Sequence, residues 1–201
     1  MPGQKQAQVI SIITEILGIP PEKGNFTWLI NIPQPENFGR HFKDRINIYN
    51  KLGGDSSILK NLKSGRKLSP DAYFPPPLGF IFEFDELQHF TSFKRIALEN
   101  YPQKLSYGFE IEKYIGYCKQ YSDAALRKGP GGYRKPTKEF QFNNGRAAQR
   151  AFFDAFRDIQ PTIFGLNPTV RIAEFELPDS FSKSDVELVL VSKLHMIGIK
   201  I

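Results

Sequence analysis

Leu68-Ser-Pro70-Asp71-Ala-Tyr-Phe74 and Gly79-Phe80-Ile81-Phe82-Glu83-Phe84-Asp85, separated by Pro75-Pro76-Pro77, carry the reading of the fold. Both runs are rich in aromatic residues, have the length of strands and are bounded by turn residues, which predicts a β-hairpin or a neighbouring strand pair. In the second run the residues alternate, and successive side chains of a strand point to opposite faces. Phe80, Phe82 and Phe84 therefore share one face, suited to packing under a helix. Ile81, Glu83 and Asp85 share the other, with the two carboxylates about 7 Å apart along the strand.

Outward from the pair, helical patterns dominate. Val9, Ile12, Ile13, Ile16 and Leu17 recur at helical spacing before Gly18 and Pro20, predicting a helix over about 6–17. The segment 25–38, with Trp28, Pro33, Pro35 and Phe38, predicts a packed loop. Phe42, Ile46, Tyr49 and Leu52 mark a helix closed by Gly53-Gly54, and Asp55 caps a short one through Leu62. Thr91 caps a helix that ends before Pro102, and a longer helix spans about 109–127 until the glycines at 129–132. A further helix runs from Gly145 to Asp158, followed by Pro161. A strand is expected over Thr169–Leu177 and a last helix over about 184–194. Strands packed between helices indicate a mixed α/β fold.

Of the 201 residues 40% are hydrophobic and 24% charged, ordinary values for a globular chain, and the net charge of +6 suits a nucleic-acid partner. Apolar runs such as Val186 to Val191 are far shorter than the roughly 20 residues of a membrane span. The amino-terminal residues lack a secretion-signal pattern, and a lone Cys118 forms no intramolecular disulfide, so a cytoplasmic setting is expected.

The carboxylates carry the chemistry. Neighbouring acids resist joint ionisation unless a cation compensates them, and Asp71 on the preceding strand supplies a third. Hard cations such as Mg²⁺, or Mn²⁺ in its place, take oxygen ligands and a phosphate, a combination that serves phosphodiester hydrolysis.

Pro70-Asp71, followed twelve positions later by Glu83 on an apolar strand, resembles the PD-(D/E)XK signature of restriction and repair endonucleases. Glu83-Phe-Asp85-Glu86-Leu-Gln88-His89 is similar to the branch of the very short patch repair endonucleases, where an Asp and a His follow the strand carboxylate. Gln149-Arg150-Ala-Phe-Phe-Asp154-Ala-Phe-Arg157-Asp158, then Gly165 and Val170-Arg171-Ile172, resembles that branch's helix and following strand. The resemblance implies a restriction endonuclease-like mixed sheet flanked by helices, with a helical amino-terminal part and a helical and loop insertion around 91–144, in a single nuclease-like domain over 1–201. It implies a Mg²⁺-dependent DNA endonuclease or nickase in which Asp71, Glu83 and Asp85 bind the metal and Gln88 or His89 positions water. The family has Lys two positions after the strand carboxylate, where this chain has Asp85; the role of that Lys then falls to Gln88, His89 or Lys94. A shifted motif, Glu86-Leu-Gln88, puts its acid on the opposite strand face from Glu83. Double-strand cleavage by so small a domain often needs two active sites and is compatible with a homodimer.

Exposed cations provide the expected contact with DNA. Lys119, Arg127, Lys128, Arg134, Lys135 and Lys138 face one acid, Asp123, with Tyr121 and Tyr133 interleaved, a pattern suited to phosphates and base stacking, or else to a solvated loop. Arg146, Arg150 and Arg157 lie on one side of a helix, with Asp154 in reach, and form either a solvated salt-bridged surface or support for phosphate and carboxylates. Three competing readings remain at this point: a catalytically inactive nucleic-acid-binding protein on the same scaffold, an exposed acidic face at a sheet edge, and a carboxylate-pair glycosidase.

Overall fold

The computed structural model describes residues 3–22, 24, 26–30, 41–61, 67–128 and 131–201. Helix α1 (Gln4–Leu17) ends on Gly18 in the left-handed region, whose N–H returns to the Thr14 carbonyl. Helix α2 (His41–Lys51) and the short α3 (Ser56–Asn61) follow, the latter opened by Asp55, whose carboxylate accepts the Ser57 N–H at 2.8 Å. Most of the loop expected at 25–38, and Leu62 at the expected end of α3, lie outside the described residues.

Strands β1 (Ala72–Phe74) and β2 (Phe80–Asp85) form the expected antiparallel pair, Ala72 opposite Phe82 and Phe74 opposite Phe80. Strand β3 (Val170–Ala173) adds to β2 in parallel, so β2 is the central strand, with Glu83 opposite Arg171 and Asp85 opposite Ala173. A parallel neighbour requires a crossover, and α4 (Ser92–Leu98), α5 (Ile111–Lys128) and α6 (Gly145–Ile163) supply it. Helix α7 (Lys183–Met196) closes the chain on a Ser182 cap. No described helix is long and apolar enough to cross a membrane.

The alternation of β2 sorts its side chains into two cores. Phe80, Phe82 and Phe84 pack with Val170, Ile172, Val9 and Ile13 of α1, and Val186, Leu190 and Leu194 of α7. Each phenylalanine is at most 2% exposed, and such burial contributes about 2–3 kcal/mol per ring. Ile81 belongs to the opposite core, built with Ala97, Tyr114, Phe152, Phe156 and Ile159 of α4, α5 and α6. The sheet is thus covered on both sides, and the acidic face of β2 is neither exposed nor at an edge.

Two expected boundaries move. Helix α6 runs through Pro161 instead of stopping at Asp158. Proline has no N–H for the carbonyl four residues back, but the hydroxyl of Thr169 donates to that Arg157 carbonyl and lets the turn continue. The strand expected to reach Leu177 ends at Ala173 and becomes a 3-10 turn, Glu174–Glu176. Its partner β2 ends there, and the Leu87 N–H donates to Glu174 Oε1 at 2.7 Å and the Ala173 N–H to Glu176 Oε2 at 2.9 Å. The glycines after α5 do stop it, but Gly131–Arg134 form a 3-10 turn against α6 rather than an open loop. At Gly145 an added Cβ would lie 2.1 Å from the Phe140 carbonyl oxygen, so only glycine opens α6 there.

Candidate functional site

The polar face of β2 looks into the seam between α4 and α6, and the side chains there form one continuous ionic network. Glu83, Asp85, Asp154 and Asp158 are each at most 3% exposed, and so are Lys94 and Arg171. Charges removed from water to this degree need partners. Arg171, opposite Glu83 on β3, donates through Nη1 to both oxygens of Asp85 at 2.8 and 2.9 Å and through Nε to Asp158 at 2.6 Å. Lys94 reaches Asp154 at 3.1 Å and Asp158 at 3.8 Å, while Tyr101 donates to Asp158 at 2.7 Å. Arg157 lies 3.2 Å from both Glu83 and Asp154 and donates to the Ser69 carbonyl.

His89 sits in a 3-10 turn just after β2 and is held from both sides. Its Nδ1 is 2.6 Å from Asp85, and its Nε2 meets the Arg150 guanidinium. A carboxylate partner accepts a proton from Nδ1, and a guanidinium donates to a lone pair on Nε2, so the two contacts suit an Nδ1–H tautomer.

Asp71 and Glu83 meet at the rim of this network. The Asp71 N–H donates to Glu83 Oε1 at 3.2 Å, and the Phe84 N–H to Asp71 Oδ2 at 2.8 Å. Asp71 Oδ1 and Glu83 Oε2 have no protein hydrogen bond among the described residues. Burial raises the Asp71 carboxyl above its usual range, against the Phe84 N–H. Burial likewise pushes Glu83 up to about 8, with Arg157 opposing and Asp71 adding repulsion. Asp85 and Asp154 go the other way: burial would raise them, but Arg171 and His89 at Asp85, and Lys94 and Arg171 at Asp154, hold both well below the carboxylate range.

These contrasts test where a cation fits. Asp85, His89 and Asp154 offer ligand atoms within 4.8 Å of one another. Arg171 and Lys94 already neutralise those two acids, so a divalent ion there would press against fixed positive charge. The Asp71–Glu83 pair, with two open oxygens and a repulsion that Arg157 relieves only in part, fits a hard cation. Of the three expected ligands, Asp71 and Glu83 are thus brought together, whereas Asp85 is turned to Arg171 and His89.

The remaining expected residues separate. Gln88 donates to Glu86 at 2.7 Å and lines a cleft of about 700 Å³ with Lys128, Lys5, Glu174 and Asp179. Lys128, Arg134 and Lys135 are exposed, with no ion pair among the described residues. Tyr133 is buried, and Tyr121 stacks on Phe175 with ring centres 4.2 Å apart, so Tyr133 is closed to bases and Tyr121 is a packing residue. Arg150 and Arg157 are half-buried supports of the network, and α6 is a core helix rather than a solvated one. Burial pushes the Cys118 thiol up to about 12, in keeping with an inert cysteine.

Residues 47–184 match the model of a family described as a family of unknown function (DUF7255), and that span is more than half of the chain. The chain belongs to the DUF7255 family. The matched DUF7255 span contains every member of the network, from Asp71 to Arg171. No curated protein and no solved structure matches the chain.

Proposed function

We propose that this DUF7255 chain is a metal-dependent DNA endonuclease or nickase on a restriction endonuclease-like scaffold, with Asp71 and Glu83 as the metal-holding carboxylates. The observation that carries the reading is the pairing of these two acids, each with a free oxygen and a raised pKa, beside an Asp-backed imidazole. Mg²⁺ or Mn²⁺ held there would supply charge neutralisation at a phosphate and acidify water. The protein's own groups do the rest. Asp85 fixes the ring and tautomer of His89, leaving Nε2 as the nitrogen able to take a proton. Arg171 anchors Asp85, and Arg150 and the exposed Arg134 and Lys135 offer contacts to the DNA backbone.

The test is incubation of the purified protein with supercoiled plasmid and Mg²⁺ or Mn²⁺. Nicked or linear product is expected, and it should vanish with EDTA and with Asp71→Asn or Glu83→Ala in a folded protein. A fully active Glu83→Ala protein would refute the assignment. The internal compensation of Asp85, Asp154 and Asp158 by Lys94 and Arg171 favours a second reading, a nucleic-acid-binding protein without catalysis. Retarded but uncut plasmid at every metal concentration would select it.

A further inference from the structure

Three arginines enter the network, and one differs from the other two. Arg157 and Arg171 each lie against two carboxylates. Arg150, one turn before Asp154 on the same helix, has no ion pair among the described residues. Its Nη2 is spent on the ring of His89, and its Nε, like Arg157 Nε and Arg171 Nη2, is buried without a hydrogen-bond partner. A guanidinium gains from an ionised oxygen a charge–charge attraction that a neutral acceptor does not offer, and its fork suits two phosphate oxygens. The closest partner of Arg150 is therefore the weaker kind, while Asp154, Tyr133, Asp85 and Glu83 favour its charge from further away.

The surroundings favour an anion as the replacement. Arg134 and Lys135 are held beside the start of α6 by main-chain bonds, Asn144 N–H to the Arg134 carbonyl at 3.1 Å and Arg146 N–H to the Lys135 carbonyl at 3.0 Å. Arg134, Lys135 and Arg146 are all exposed. They place positive charge near the end of the helix from which Arg150 projects.

We infer that Arg150 is a phosphate-responsive latch on His89: a phosphate of a nucleotide or DNA strand takes the guanidinium and leaves imidazole Nε2 open. The ring itself stays in place, because Asp85 holds Nδ1 at 2.6 Å and Arg171 in turn holds Asp85. An unliganded protein thereby keeps its proton acceptor covered, and the ligand that brings the phosphate uncovers it. The inference rests on the phosphodiesterase reading for the class of ligand, but requires no cleavage.

The experiment follows the three histidines by long-range proton–nitrogen NMR on protein labelled with ¹⁵N-histidine, in EDTA, with His41→Gln and His195→Gln to assign the His89 signals. Thymidine 3′,5′-diphosphate is titrated in, with thymidine as the uncharged control. The diphosphate should shift His89 Nε2 saturably while Nδ1 keeps its proton, and thymidine should shift neither. Arg150→Gln should show the uncovered Nε2 signal without ligand and bind the diphosphate about tenfold more weakly, roughly one charge-assisted contact. Saturable binding with no movement of the His89 nitrogens, or no binding at millimolar diphosphate, overturns the latch. The parent titration decides this even where the variant fails to fold. A moving His89 in a protein that never cuts plasmid keeps the latch and removes the nuclease. Plasmid cleavage with an unresponsive His89 does the reverse.

Discussion

The two faces of β2 are buried alike and built from opposite materials. On one, Phe80, Phe82 and Phe84 meet aliphatic side chains of α1, α7 and β3; on the other, Glu83 and Asp85 meet Arg171, Arg157 and His89. An apolar face gains from burial piece by piece. A charged face gains only when every member finds its partner, because each unpaired charge carries its full desolvation penalty. The aromatic face thus stabilises, while the ionic face fixes the position of particular atoms, which is what a chemical site requires.

The largest expected effect breaks the ionic face at its centre. Arg171→Met leaves Asp85 and Asp158 without their main cation and should cost about 3–5 kcal/mol in denaturant unfolding. Adding Asp85→Asn and Asp158→Asn should restore part of that loss. A triple variant no more stable than Arg171→Met would mean that the acids contribute by packing rather than by charge. On the other face, Phe82→Ala should cost about 3–5 kcal/mol by opening a cavity. Unlike the ionic changes, its cost should be nearly constant from about pH 5 to about pH 9.

Glu83 gives a smaller and more selective test. Its folded value near 8 lies above the unfolded value of about 4.3. Between the two the native state holds the extra proton, so its contribution is present at low pH and is lost as pH rises to about 8. Asp85 and Asp154, held low, contribute in the opposite sense and lose their contribution only in acid. Glu83→Gln should therefore flatten the fall in stability between about pH 5 and about pH 8, a difference on the order of 4 kcal/mol. An unchanged profile by thermal unfolding across that range would place the neutral carboxyl elsewhere. The smallest effect on the fold belongs to the exposed cations. Lys128→Ala, Arg134→Ala and Lys135→Ala should each change stability by less than about 0.5 kcal/mol. In a salt titration of duplex binding without metal, the slope of the triple variant should become shallower by about 0.9 for each phosphate that is no longer neutralised. Identical slopes would return these residues to a solvated surface.

The alternation of Phe80 to Asp85 could be read directly, because period two assigns each residue to a face whatever covers it. So could the Thr91 cap, whose side chain accepts the Lys94 N–H group. Neighbouring Asp71 and Glu83 followed from the hairpin. Arg171 did not, since no local pattern shows that a strand far along the chain will lie beside β2 in parallel and place its guanidinium opposite Glu83. Asp154 and Asp158 looked like ordinary members of a charged helix. Their position among Phe152, Phe156 and Ile159, on the face that proved buried, was the available signal, and Arg150 and Arg157 beside them obscured it.

The parallel seam between Phe82–Asp85 and Val170–Ala173 also orders events in time. The two ends of the crossover must come together before Arg171 can meet Asp85, and such distant closures slow folding. Desolvating the ions early would be unfavourable, so the network belongs late on the folding path. Contacts made after the transition state act on the rate of opening rather than of closing. The buried ion network is then a brake on unfolding, and its natural measure is the lifetime of the native state.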